Sequence, residues 1–200
     1  MKKRSMTGAT PRELERGFSM IEISIVLAIA MIIAAISTPK FLTIYRGYQL
    51  NSAASQVASA LKFSRYEAIR QNKAISFRIT QTGTSPVVTR LWTDVNNNSV
   101  EEATETQTLF TGNVNLVAST VPPGTTSLAA NVGVTTLTAV SISSGTVAFD
   151  QRGAIAPAAV NVLYIGNAAV PSLGYKAVVL LPSGSIQIWT TTNGTWGQIN

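Results

Sequence analysis

The chain contains no cysteine and no histidine in 200 residues. Without cysteine there is no disulfide framework, so a core alone must hold the fold, even in an oxidising compartment. The two absences together remove Ser-His-Asp and Cys-His nucleophilic catalysis and the usual zinc sites. Chemistry by carboxylates alone is not excluded by composition, but an enzyme is not expected. Charge is also sparse, at 12% of residues, about half the usual share. The acidic residues number nine against fifteen basic ones, giving a net charge of +6. Such a balance ordinarily suggests nucleic acid, but the distribution argues otherwise. Residues 1–17 carry +3, Glu22 −1, the segment Lys40 to Lys73 +5, and Ala74 to Asn200 −1. The C-terminal part therefore has few cations to meet phosphates, and nucleic acid is not an expected partner. DNA capture would need a patch assembled from distant residues or from neighbouring subunits.

What is present begins at Arg16-Gly17-Phe18-Ser19-Met20-Ile21-Glu22. An apolar run follows, with no charge from Ile23 to Pro39. Counted from Phe18, it approaches the roughly 20 residues that span a bilayer core. The basic residues before it mark that end as cytoplasmic. An ordinary secretory signal peptide fits less well, because no small-x-small cleavage site follows in a polar context and the uncharged segment is long. It also leaves Glu22 unexplained. A carboxylate in lipid is expensive and must find a cation, become neutral or reach the headgroups.

This N-terminus resembles that of type IV pilins and the pseudopilins of type II secretion, through Gly17, Phe18, Ser19, Ile21, Glu22 and Pro39. The resemblance implies cleavage by a prepilin peptidase between Gly17 and Phe18 and N-methylation of Phe18. It implies that Glu22 pairs with the terminal amine of a neighbouring subunit during assembly, and that Pro39 kinks the helix. Its implied partners are the peptidase, other pilins or pseudopilins in a hetero-oligomeric filament, and the inner membrane. The N-terminus would be cytoplasmic and the C-terminal domain periplasmic. The departures are small: Ser19 and Met20 stand where the family often has threonine and leucine, and the leader is longer than the shortest ones. The C-terminal disulfide loop of many major pilins is out of reach for this chain.

The expected fold class is α+β: one long helix packed on a small antiparallel β domain of two sheets. Three segments are expected: a leader, 1–17; a helix, 18–73, transmembrane over 18–39 and amphipathic over 40–73; and a β domain, 74–200. In the second half of the helix, Leu50, Ala54, Val57, Ala58, Leu61, Ala68 and Ile69 fall near helical spacing, which predicts a buried stripe. From Ala74 the period changes to two. Alternation and β-branched content predict strands at 74–79, 87–93, 106–110, 135–142, 146–149, 161–165, 176–181 and 185–190. Breakers separate them, among them Pro86, Pro122-Pro123-Gly124 and Pro182-Ser183-Gly184. The abundance of Thr, Ser, Val and Ala suits exposed sheets.

Finer likeness points to the GspH/FimT group of minor pseudopilins. It rests on Ser64 to Lys73, on Trp92-Thr93-Asp94-Val95-Asn96-Asn97-Asn98, on Phe149-Asp150-Gln151-Arg152-Gly153, and on Pro182-Ser183-Gly184. The implied function is a minor subunit of a type II secretion pseudopilus or a type IV pilus, at or near its tip. A DNA-binding minor pilin is an alternative, as is a membrane-anchored carbohydrate-binding or enzymatic domain.

Two local features compete with that reading. Asp94, Asn96, Asn98, Glu102 and Glu105 occupy the first, third, fifth, ninth and twelfth places of an EF-hand-like loop, which would take calcium. Ser99 stands where such a loop wants glycine, and the flanks read as strands. The other reading is an Asx-rich turn that satisfies its own backbone and needs no cofactor. Trp92, Trp189 and Trp196 are candidates for sugar or base stacking. Trp92 and Trp189 lie in predicted strands, whereas Trp196, in a polar tail, is expected to be the exposed one.

Overall fold

The computed structural model describes residues 17–84, 87–111 and 113–199. The leader up to Arg16 and the breaker Pro86 lie outside the described residues. The chain divides into two compact units, Met1–Leu42 and Thr43–Asn200.

The described part of the first unit is the start of helix α1, Met20–Gln71. Its residues up to Leu42 are all exposed, and the helix is long and apolar enough to cross a membrane. Two of its hydroxyls return to the backbone: Ser24 donates to the Met20 carbonyl at 2.9 Å and Thr38 to that of Ala34 at 2.7 Å. This is how a serine or threonine is accommodated where no water is available. The helix runs through Pro39 without a break.

In the second unit, α1 buries Leu50, Ala53, Ala54, Val57, Ala58, Leu61, Ser64, Glu67 and Ala68. The predicted stripe lies on this face except for Ile69, which is 47% exposed. Ser64 takes part in the stripe instead. Its hydroxyl lies 2.7 Å from that of Thr93, so a polar pair is buried intact. The helix stops at Asn72, whose φ of 50° is left-handed. The Asn72 amide donates to the Ile69 carbonyl and the Lys73 amide to that of Ala68, both at 3.2 Å. These are the two bonds of a Schellman end, with asparagine where glycine is usual.

The strands are β1 Ile75–Thr82, β2 Val88–Asp94, β3 Gln107–Thr111, β4 Val114–Val117, β5 Thr138–Ala139, β6 Thr146–Phe149, β7 Asn161–Asn167, β8 Tyr175–Leu180, β9 Ile186–Thr191 and β10 Gly197–Ile199. One sheet has the order β3-β2-β1-β6, and the other β10-β9-β8-β7-β4. All pairs are antiparallel except β5, which lies parallel beside β7. A short helix α2, Thr125–Val132, precedes β5. The fold is therefore the expected α+β one, a long N-terminal helix on two sheets.

Two hydrophobic clusters form. In the first, Leu50, Val57 and Leu61 of α1 join Phe77, Leu91 and Phe149 of one sheet and Leu163, Ile165, Val178 and Leu180 of the other. The second lies on the opposite residues of β7, β8 and β9: Val162, Tyr164, Ala177, Val179 and Trp189, together with Leu128 of α2 and Trp196. Strands β7 and β8 are thus buried on both faces, which explains their nearly continuous apolar runs. The expectation of exposed sheets fails for this sheet. The long strand expected over 135–142 shrinks to the two residues of β5, because β4 occupies the rest of that edge of β7.

Candidate functional site

At the N-terminal end, Gly17, Phe18 and Ser19 precede the helix, and Phe18 is 76% exposed. The Ser19 carbonyl accepts the Ile23 amide at 3.1 Å, which starts the helix. Glu22 stands in the first turn, where a carboxylate complements the helix dipole. It forms no ion pair among the described residues. Phe18 and Glu22 are one helical turn apart in sequence. A charged group on an exposed apolar helix, next to a candidate new N-terminus, is the chemical content of this site.

At the other end of α1, the motif around Arg65 ties three distant segments together. Arg65 Nε donates to the Gly153 carbonyl at 3.0 Å and its Nη2 to the Ser183 carbonyl at 3.4 Å. Gly153 and Gly184 both have φ of 78°, a left-handed conformation open to glycine at no cost. A side chain at Gly184 would meet the Gly153 carbonyl oxygen at 1.9 Å. The Ile155 amide donates to the Pro182 carbonyl at 2.9 Å, strapping the same two turns. Three of the short motifs that looked separate in sequence, those around Arg65, Gly153 and Ser183, are therefore one clasp. Two residues further along α1, buried Glu67 accepts Arg70 Nη2 at 2.6 Å and Gln71 Nε2 at 2.8 Å. The Arg70 hydrogen bond outweighs burial and holds the Glu67 carboxyl below its ordinary range, while the Arg70 guanidinium is raised.

The acidic loop after β2 is built as a turn bonded to itself. Asp94 Oδ1 accepts the Asn98 amide at 3.1 Å; Asp94 Oδ2 accepts the Ser99 amide at 2.9 Å and Arg78 Nε at 2.6 Å. The Asn96 side-chain oxygen accepts the Asn98 amide, and that of Asn98 the Val100 amide. Glu102 Oε1 accepts the side-chain amides of Asn96 and Asn98. Glu105 takes the amides of Val95 and Glu102. Ser99 adopts the left-handed φ, 65°, that glycine would supply. The Arg78 guanidinium supplies positive charge to Asp94 and also lies 5.7 Å from the Trp92 ring. Among the described residues no group of three acidic side chains is placed to hold a metal ion.

The stacking surface expected of Trp196 does not form. Trp196 is 3% exposed. It sits 5.9 Å from the Tyr164 ring, and its Nε1 donates to the Pro123 carbonyl at 3.1 Å. Burial of an indole with its N–H satisfied outweighs the polarity of its sequence neighbours. Trp92 and Trp189 are buried too. Of the three cations that follow Arg78, Arg90 is paired with Glu101 at 3.2 Å. Burial lowers the pKa of Lys176, which donates to Thr190 Oγ1 at 2.8 Å.

An apolar N-terminal helix that continues into the core of a two-sheet domain defines the pilin-like class of subunits. The family described as Type II transport protein GspH matches residues 53–184, about two thirds of the chain. The chain belongs to that family, a family of pilin-like assembly subunits rather than enzymes. Two crystal structures of the type IV minor pilin FimU of Pseudomonas aeruginosa PAO1 are similar to it. One is 18% identical with a TM-score of 0.46, covering 70% of this chain and 88% of FimU. The other is 19% identical with a TM-score of 0.45, covering 70% and 91%. No curated protein matches the chain.

Proposed function

We propose that the chain is made as a precursor, cut by a prepilin peptidase between Gly17 and Phe18, and assembled as a minor subunit at or near the tip of a type II secretion pseudopilus or a type IV pilus. Residues 18–39 hold it in the inner membrane before assembly, and residues 74–200 form a periplasmic domain. The observation that carries this reading is Glu22: one carboxylate, without an ion-pair partner among the described residues, on an exposed apolar helix. The α-amino group freed at Phe18 of an adjacent subunit would neutralise it, removing two charges from lipid at once and fixing axial register. Pro39 would kink the helix, since it removes a backbone donor inside it.

The acidic loop fits a cofactor-free subunit, because its oxygens already accept N–H donors and Arg78 faces Asp94. Intact mass spectrometry of the chain from cells with and without the peptidase tests the processing step. The proposal expects loss of residues 1–17 and one added methyl only where the peptidase is present. An unchanged precursor mass in both strains would overturn it.

A further inference from the structure

The second unit carries an open groove of about 500 Å³. Its polar lining includes Tyr45, Arg46, Tyr48 and Gln49 of α1 and Asn113 and Asn167, at the edge where β4 meets β7. No acidic residue lines it. The Arg46 guanidinium makes neither an ion pair nor a hydrogen bond among the described residues. Asn167 is 4% exposed, and its side-chain oxygen accepts the Ala169 amide at 3.0 Å. Its Nδ2 donates to no protein acceptor among the described residues. A free guanidinium and a nearly buried amide donor in a groove without carboxylates are the chemistry of an anion site.

Chain order says which anion. Tyr45 is the third residue after Leu42, where the first unit ends. The uncharged run closes at Pro39 and is followed by Lys40, Phe41, Tyr45, Arg46 and Tyr48. Aromatic residues interleaved with cations directly after an apolar span are the signature of a membrane–water interface. Tyr45 and Tyr48 are 51% and 70% exposed, as interfacial rings are when no lipid surrounds them.

We propose that this groove binds the phosphodiester headgroup of an anionic phospholipid, with Arg46 as the charge partner and the amides of Asn113 and Asn167 as donors. The inference rests on the membrane-anchored reading above. The headgroup would hold the unassembled subunit at a fixed height and be released when the helix leaves the bilayer.

The test uses the full chain in nanodiscs of equal parts phosphatidylglycerol and phosphatidylcholine. Native mass spectrometry after mild detergent extraction counts the lipids retained. Flotation with the lipid and tryptophan fluorescence report anchoring and fold. The expected result is selective retention of phosphatidylglycerol, lowered about fivefold to tenfold by Arg46→Gln, the worth of one juxtamembrane cation bonded to phosphate. Asn113→Ala should lower it to a lesser degree, and Lys40→Gln, outside the groove, should leave it unchanged. Equal effects of Arg46→Gln and Lys40→Gln would overturn the site in favour of general surface charge. Full displacement of the lipid by millimolar inorganic phosphate would also overturn it, in favour of a free-anion site. Normal flotation without selective retention refutes the groove and leaves the anchor standing, whereas failure to float refutes both.

Discussion

Replacing Gly184 by alanine should unlatch the clasp at the end of α1. Gly184 sits at φ 78°, and a new Cβ would lie 1.9 Å from the Gly153 carbonyl oxygen, 2.7 Å from Arg65 Nε and 3.1 Å from Arg65 Cδ. The nearest obstacle is backbone, so it cannot swing aside as a side chain can. Holding a non-glycine residue in the left-handed region costs about 1–2 kcal/mol. Forcing extra volume into a packed site costs about 1–3 kcal/mol. Together these predict a loss of about 2–5 kcal/mol, or a fall in melting temperature of roughly 5–20 °C for a unit of this size. Gly47 supplies the opposite control. It lies inside α1 with nothing within 4 Å of a new Cβ, so Gly47→Ala should gain about 0.5–1 kcal/mol from helix propensity alone. The assay is thermal unfolding of the full chain in detergent, followed by tryptophan fluorescence, since all three tryptophans are buried in the second unit. A Gly184→Ala protein melting within about 2 °C of the parent, below the change expected from the strain alone, would refute the clasp.

Other consequences follow from the same structure. Glu22→Ala should leave cleavage intact and sharply reduce incorporation into filaments; normal incorporation in a sheared-filament immunoblot would count against the pairing. The lowered Glu67 carboxyl contributes stability that is fully present above its ordinary value of 4.5 and is lost as pH falls through its folded value. Glu67→Gln should therefore flatten the acid limb of a melting-temperature profile taken below that pH, and an unchanged acid limb would disprove the assignment. Trp196→Ala should cost about 3–5 kcal/mol, as loss of a buried indole does, measured by denaturant unfolding. Titration calorimetry of the full chain with millimolar calcium should give no heat, and a saturable heat lost in Asp94→Ala would overturn the account of the loop.

The long helix was legible because its signals are local and repeated: an uncharged run, then a stripe at helical spacing. Ile69 departs from the stripe because the clasp turns hold that end of α1 through Arg65, while Ser64 and Glu67 enter the core with polar partners that sequence spacing does not display. Strand β1 was legible from its alternation, and β7 and β8 from short apolar, β-branched runs bounded by breakers. Helix α2 was not, since its eight residues follow a Pro-Pro-Gly breaker and its place is fixed by Leu128 packing on distant β7 and β8. Trp196 misled for the same reason: its neighbours are polar, and its burial depends on Tyr164 and Pro123, which are remote in sequence. Glu22 stood out at once, as a carboxylate in an apolar run must. The groove did not, because Arg46 and Asn167 meet only through the fold.

The central claim is that this chain works as a filament subunit. A photo-crosslinking residue at Tyr66, 61% exposed on α1, followed in cells by mass spectrometry of the captured chains, tests it most directly. The account predicts capture of other pilin-like subunits that carry the same Gly-Phe and glutamate N-terminal motif, with capture lost in Glu22→Ala. Secretion pseudopilins among them would place the chain in a pseudopilus, and pilus subunits in a type IV pilus. Capture of no pilin-like chain in cells that assemble the filament would contradict the account.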